Sequence, residues 1–409
     1  MVYRKMTHMR KAERSLVGLM TGLCLIVLPL AKLSAEPFRI GAPLALTGDL
    51  AAEGEKQEVA FQFWLDQINS EGGLIIGGER RPVELIIYDY QADSQYAGEA
   101  TEALITRDSV DVLLAPFGSA HSKIAARVAE RFETPILACA SSSTSVYEQG
   151  NPYLFGTLAP HTRLVADMVG YVRQSVPDLE TIAILSREDI FPKAMAEELL
   201  KTAEAQSLEV VYDAFYSIGT QAHGAALSEI KEAAPDWIYV TGYTRDLVTI
   251  REQMAEIGLS AKVVTMTSGP AHREFIERLG ALANGITSNT WWHPAVTSRG
   301  VGPWPDARSF SQAFLDWAGY EPDFVHASCV AVLVTLSVAL ENLTGTDAEA
   351  IREALAKSEL ETFFGHIAFS ENGMNEGGGH SVIQIQDGAV QVLTPPEAST
   401  ARLHLFYPL

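Results

Sequence analysis

Short apolar runs alternate with helical patterns along most of this chain, and that alternation limits the fold more than any other feature. Phe38–Leu44 (FRIGAPL) reads as a strand, and Ala60, Phe63, Trp64 and Ile68 then share one helical face. Gly72-Gly73 closes that helix. Strands follow at Val83–Tyr88, Val110–Ala115 and Pro135–Cys139, with helices over Tyr96–Thr106 and Ser122–Phe132 between them. A second series begins near Pro160 with a helix over Leu164–Gln174. Its strands lie at Thr181–Leu185, Leu208–Phe215, Trp237–Val240 and Lys262–Met266. Helices over Ala194–Ala205, Ala225–Ala234 and Leu247–Ile257 separate them. Strands joined through helices need crossover connections, so mostly parallel sheets are expected. About eight such units are too many for one comfortable open sheet. The expectation is an α/β chain of two doubly wound lobes.

The tail has a different texture. Trp291–Pro305 is rich in Trp, Gly and Pro and reads as loop. Helices are expected over Phe310–Ala318, Phe324–Leu343 and Asp347–Ser358. Strands Ser381–Gln386 and Ala389–Leu393 flank Asp387-Gly388, a hairpin signal.

The first 35 residues do not share this pattern. Arg4, Lys5, Arg10, Lys11 and Arg14 form a basic head, and Leu16–Leu30 is an apolar stretch of 15 residues. That stretch is short for a membrane span. Ala31-Lys32-Leu33-Ser34-Ala35 then offers a cleavage site near Ala35, so residues 1–35 read as a secretory signal peptide. Cys24 sits inside the apolar run behind Leu23, which is the wrong setting for lipid attachment. Removing six Lys/Arg and one Glu with this segment leaves 24 basic and 50 acidic residues, a net charge of −26. Such a chain repels nucleic acid and anionic membrane surfaces. Two cysteines remain, Cys139 and Cys329, too few for a disulfide scaffold or a zinc ligand set. The sequence leaves open whether they pair.

Motifs for chemistry are missing. Gly300-Val301-Gly302-Pro303-Trp304-Pro305 lacks the third glycine of a dinucleotide fingerprint, and no Walker loop occurs. Phe117-Gly118-Ser119-Ala120-His121-Ser122 lacks the second glycine of a hydrolase elbow, and Ser119 and His121 diverge at a helix start. The ten histidines show no metal spacing. No catalytic residue, metal or cofactor is expected.

A different feature recurs. Strand Val110–Ala115 runs into Gly118-Ser119 and a helix, and strand Pro135–Cys139 runs into Ala140-Ser141-Ser142-Ser143. Ser or Thr before a helix can cap it and leave backbone N–H groups aimed outward. Open parallel sheets bind ligands beyond the carboxyl ends of their strands. Two such ends in succession suit a carboxylate.

These residues lead to a resemblance. Ile40–Gly48 (IGAPLALTG), Asp66–Gly73 (DQINSEGG), Tyr88-Asp89, Pro135-Ile136-Leu137 before the serines, and Trp237–Tyr243 (WIYVTGY) carry it. The chain resembles the branched-chain amino acid type of periplasmic solute-binding protein, the receptor subunit of an ABC importer. The resemblance spans about residues 38 to 395. It implies two α/β lobes joined by three crossovers and closing by a hinge. The lobes would be 37–157 with 290–368, and 158–289 with 369–409. It also implies a monomer in the periplasm that takes a small-molecule solute to a membrane permease. The solute's carboxylate would meet Ser119, Ala140 and Ser142, beside Phe117. Phe191 and Tyr243 would cover it from the second lobe.

The family often holds an ammonium with an acid where this chain has Thr267, and Glu53 replaces a common aromatic. Either Glu53 or Asp246 takes over the amine, or the solute is an acid or amide without one, because a buried unpaired ammonium is very costly. The alternative is a ligand-sensing regulator on the same two lobes, working in the cytoplasm.

Overall fold

The computed structural model describes residues 36–406. The expected signal peptide and Cys24 lie outside the described residues. The first part of the chain runs β1 (Phe38–Leu44), α1 (Ala51–Ser70), β2 (Leu74–Ile76), β3 (Glu79–Arg81), β4 (Val83–Asp89), α2 (Ser94–Thr106), β5 (Val112–Leu114), α3 (Ser119–Arg131), β6 (Ile136–Ala138), α4 (Thr144–Tyr147) and β7 (Leu154–Gly156). It continues through α5 (His161–Ser175), β8 (Thr181–Arg187), α6 (Ile190–Ala205), β9 (Glu209–Tyr216), α7 (Gly224–Ala233), β10 (Trp237–Thr241), α8 (Thr244–Glu256), β11 (Val263–Thr267), α9 (Arg273–Leu279) and β12 (Thr287–Thr290). The last part holds α10 (Ala307–Ala318), α11 (Phe324–Glu341), α12 (Ala348–Ala356), β13 (Glu359–Glu361), β14 (His366–Ala368), β15 (Ser381–Gln386) and β16 (Ala389–Val392).

The strands form two large sheets. The first has the order β4-β1-β5-β6-β7 and is parallel throughout. The second has the order β16-β15-β12-β11-β10-β8-β9. Its β9 to β12 part is parallel, and the β15–β16 hairpin adds an antiparallel edge. The chain passes between the two bodies three times: after β7, after β12 and before β15. Helices α10 and α11 pack on α1, which lies on β1 and β4, so the segment after β12 returns to the first body. This is the two-lobed α/β fold expected from the alternation.

Local chemistry explains most boundaries. Asp93 caps α2 by accepting from Gln95 N and Tyr96 N, and Asp306 and Asp323 form capping boxes at α10 and α11. Asp387 and Gly388 both have positive φ, the pair of left-handed residues that a tight hairpin turn requires. Helix α6 begins at Ile190, earlier than the pattern Ala194–Ala205 predicts. Pro192 reads as a breaker, yet in a first turn its missing N–H has no bond to lose. Helix α11 is buried along most of its length, which is why it is apolar on every side.

Helix α1 lies hard against β1. A Cβ on Gly54 would stand 1.9 Å from the Ala45 carbonyl oxygen. Gly54→Ala is therefore expected to cost about 1–3 kcal/mol of stability by overpacking. Urea unfolding measures it, and an unchanged midpoint would show that α1 can move off β1 freely.

Candidate functional site

The carboxyl ends of the two sheets face each other, and a cavity of about 20 Å³ lies between them. From the first body it is lined by Phe117 and Gly118 after β5, and by Ala140 and Ser142 after β6. From the second it takes Phe191 at the start of α6, Tyr243 before α8 and Ser268 after β11. Leu158 and Trp291 come from the crossover segments, and Phe324 from the start of α11. The volume holds about one water molecule. The lobes are thus closed on one another, and a larger guest enters by their separation or by rotation of the rings.

The serine loop is held from several directions. Ser119 Oγ accepts from Ser143 N at 3.2 Å and from Ser141 Oγ at 3.3 Å. Ser142 Oγ donates to the Ala159 carbonyl at 2.9 Å. Tyr147 Oη donates to the Ser141 carbonyl at 2.9 Å, and His161 N–H donates to the Ser142 carbonyl at 3.0 Å. Gly118, with φ +84°, is the N-cap of α3, and a Cβ there would sit 3.2 Å from Tyr243 Oη. Helix α3 therefore opens at the cavity, and its first-turn N–H groups have no intrahelical acceptors. Oriented N–H groups and a helix N-terminus together attract an anion.

Aromatic rings make up the rest of the wall. Phe117 and Tyr243 meet edge to face at 5.5 Å across the cleft. Trp291 lies 5.9 Å from Phe191 and 4.8 Å from Phe324, and its Nε1–H donates to the Ala159 carbonyl at 3.0 Å. Burial, reinforced by Asp189, raises the Tyr243 phenol well above its ordinary pKa, so it stays a neutral donor.

Five of the expected site residues, Phe117, Ala140, Ser142, Phe191 and Tyr243, line this cavity. Three stand outside it. Ser119 is buried behind the loop, as the bonds above describe. Thr267 is a sheet residue whose Oγ1 donates to Tyr239 Oη at 3.1 Å. Glu53 lines a separate groove at the cleft mouth with Asp49 and Arg245. Asp246, the other candidate for an amine, accepts from Arg187 Nη1 at 2.7 Å. Ser119 and Ser142 are not helix caps: Gly118 and Ser143 hold the N-cap positions of α3 and α4, without side-chain cap bonds.

Sequence reasoning missed Leu158, Ser268, Trp291 and Phe324. Ser268 and Trp291 directly follow strands β11 and β12, but only β11 is among the strands the sequence predicts, and the signal at Ser268 is weak. The Ser268 backbone has φ +82°, ψ −57°, strained for a residue with a side chain, and such strain gathers at ligand sites. Cys139 and Cys329 pair in a disulfide, which joins the start of the serine loop to α11.

Comparison with known proteins agrees with this fold. The leucine-, isoleucine-, valine-, threonine- and alanine-binding protein of Pseudomonas aeruginosa is 22% identical over 89% of this chain and 94% of its own length. A branched-chain amino acid transporter substrate-binding protein from Streptococcus pneumoniae, solved with isoleucine, superposes with a TM-score of 0.78 at 21% identity, over 88% of this chain and all of its own. A solute-binding protein of an ABC transporter from Rhodopseudomonas palustris, solved with 3,4-dihydroxybenzoic acid, gives 0.75 at 18% identity, over 87% of this chain and 95% of its own. A family model described as periplasmic binding protein matches residues 37–389, and the chain belongs to that family.

Proposed function

We propose that this protein is an extracytoplasmic receptor that captures a small, largely apolar carboxylic acid between its lobes and delivers it to an ABC importer. The lobes are taken as 37–157 with 290–368 and 158–289 with 369–409. The observation that carries the reading is the lining of the cavity. One end offers a rigid serine loop and a helix N-terminus, and the body is five aromatic rings with Leu158. Among the described residues no Asp or Glu lines it, so an α-ammonium group there would lack a counter-ion. The solute then carries a neutral group, or an aromatic ring, where an amino acid carries its amine. Ser268 and the Tyr243 hydroxyl are the neutral partners for that end.

Among the described residues no His, Cys, Lys or Arg lines the cavity either, which supports binding without turnover. The Cys139–Cys329 disulfide favours an oxidising compartment over the cytoplasm, and so favours an exported receptor over a cytoplasmic regulator.

Calorimetry on matched pairs tests this: leucine against its deaminated acid, and phenylalanine against benzoate. The acid without the amine is expected to bind more tightly in each pair. Tighter binding by the amino acids would remove the narrowing to amine-free solutes, and no binding by any of them would sink the receptor reading. Ser119→Ala frees the Ser143 N–H from its acceptor and loosens the loop, with an expected affinity loss of about 1–3 kcal/mol. An unchanged affinity would show that the loop holds its shape without Ser119.

A further inference from the structure

Two ion clusters bridge the lobes beside the cavity. In the first, Arg187 at the end of β8 reaches from the second lobe to Asp49 in the β1–α1 connection of the first. Its Nη2 lies 2.6 Å from Asp49 Oδ2 and its Nη1 2.7 Å from Asp246 Oδ2. Asp189 Oδ2 stands 3.6 Å from Arg187 Nε, at ion-pair range without a hydrogen bond. The Arg187 side chain is 4% exposed and Asp49 31%. In the second cluster, Lys56 on α1 lies 2.9 Å from Glu274 Oε2 on α9 and 3.2 Å from Asp323 Oδ2 at the start of α11. His272, from the second lobe, stands 2.6 Å from the same Asp323 oxygen. Burial lowers the pKa of the Lys56 ammonium, but Asp323 and Glu274 outweigh burial and raise it, so Lys56 is charged.

Each cluster backs one aromatic wall of the cavity. The Arg187 guanidinium sits 5.1 Å from the centre of the Tyr243 ring. The His272 ring stacks on Phe324 at 5.1 Å. Both buried cations also have a carboxylate on their own lobe: Asp246 for Arg187 and Asp323 for Lys56. When the lobes part, neither cation is left unpaired. What separates is Asp49 from Arg187, Glu274 from Lys56, and His272 from Asp323.

We propose that Asp49–Arg187 and Lys56–Glu274 are two ionic clasps that set the balance between open and closed lobes. Solute affinity is then governed in part by positioning residues that do not touch the solute. The physical reason is population. A ligand that binds only the closed form has an apparent dissociation constant equal to the intrinsic one divided by the closed fraction. Each cross-lobe pair brings a well-buried cation to a partly exposed carboxylate. Each cation already has a carboxylate on its own lobe, so closure adds the attraction of a second carboxylate to a pair already formed. The proposal rests on the receptor reading for its affinity arm alone.

Asp49→Asn and Glu274→Gln, singly and together, test it, because each removes the cross-lobe carboxylate and leaves the buried cation its own-lobe partner. Glu102→Gln is the control, since it breaks the Arg131–Glu102 surface pair within one lobe. Small-angle X-ray scattering without solute should show a larger radius of gyration for the double variant than for wild type and control. With solute at saturation the radii should coincide. The dissociation constant should rise about three-fold for each single variant and about ten-fold for the double, the size expected for partly exposed pairs. An unchanged radius in the double variant overturns the proposal, and so does an unchanged affinity. A fall in melting temperature that alone accounts for the weaker binding also overturns it, since that marks a purely structural role. Should no solute bind wild type, the receptor reading falls, and the scattering without solute still decides whether the clasps hold the lobes.

Discussion

Replacing Cys139 and Cys329 together with alanine is expected to lower the unfolding free energy by about 3–5 kcal/mol. The bond joins residues 190 positions apart, and the loop it closes holds all of the parallel part of the second lobe but only β7, α10 and their flanks from the first. In the chain-entropy account a loop of this length removes about 5 kcal/mol of freedom from the unfolded chain. Relaxation of the native state around the smaller alanines trims that figure. Against a typical domain stability of about 5–15 kcal/mol the loss is large. Both sulfurs are buried, so alanine is a better replacement than serine, which would bury two new hydroxyls. Urea unfolding at neutral pH, with and without reductant, measures the effect. A loss below about 1 kcal/mol would mean that the packing of α11 on α1 fixes the lobe without the cross-link. The bond also has a place in the site. Cys139 directly precedes Ala140, and Cys329 lies on the helix whose first residue, Phe324, lines the cavity. The variant should therefore bind solute more weakly even at temperatures where it remains folded.

The location of the site was legible in the sequence because a parallel sheet presents its ligands at strand ends, and the strands that end at the serine loop and at Phe117 were legible. The serine cluster after Pro135–Cys139 follows β6 directly, as its apolar run predicts. Residues supplied by long-range topology were not legible. Trp291 and Phe324 reach the cavity from a crossover and from a helix far along the chain, and no local spacing marks them. Strand β7 has three residues like β5 and β6, but it lies among Asn151, Pro152 and Gly156 without the longer apolar run that marks those two. Glu53 and Thr267 show a second limit. Their neighbourhood in the chain is right, but which way a side chain points depends on the turn that ends the strand. After β11 that turn places Ser268 at the cavity and leaves Thr267 bonded inside the sheet. The disulfide was invisible for the same reason: two cysteines 190 positions apart carry no pairing signal.

Lowering the pH from 7 to 4.5 is expected to destabilise the protein, with His293 alone contributing about 1–2 kcal/mol. Burial lowers the pKa of five histidines: His121, His161, His223, His293 and His380. For His293 burial pushes the pKa down to about 4 from an ordinary 6.5. Its ring is partly open to solvent, which weakens the effect of burial on stability. The native state keeps this ring neutral, with Nδ1 accepting from Ala295 N–H at 3.1 Å. Once the chain unfolds, the ring takes up a proton at any pH below about 6.5. Between those two values the unfolded state binds more protons than the native one, so stability falls as the pH falls. The loss begins near pH 6.5 and, for His293, is complete near pH 4. Carboxylates act later. Burial raises the pKa of Asp323, but Lys56, His326 and His272 outweigh it and hold the group well below the ordinary range, so its contribution survives until more acid conditions. Above pH 4.5 the histidines therefore dominate. Urea unfolding at pH 7, 5.5 and 4.5 measures the slope, and His293→Gln, whose amide oxygen can still accept from Ala295, should flatten it. A stability that stays level from pH 7 to 4.5 would show that these rings take up protons in the native state as readily as in the unfolded one, and that burial does not hold them neutral.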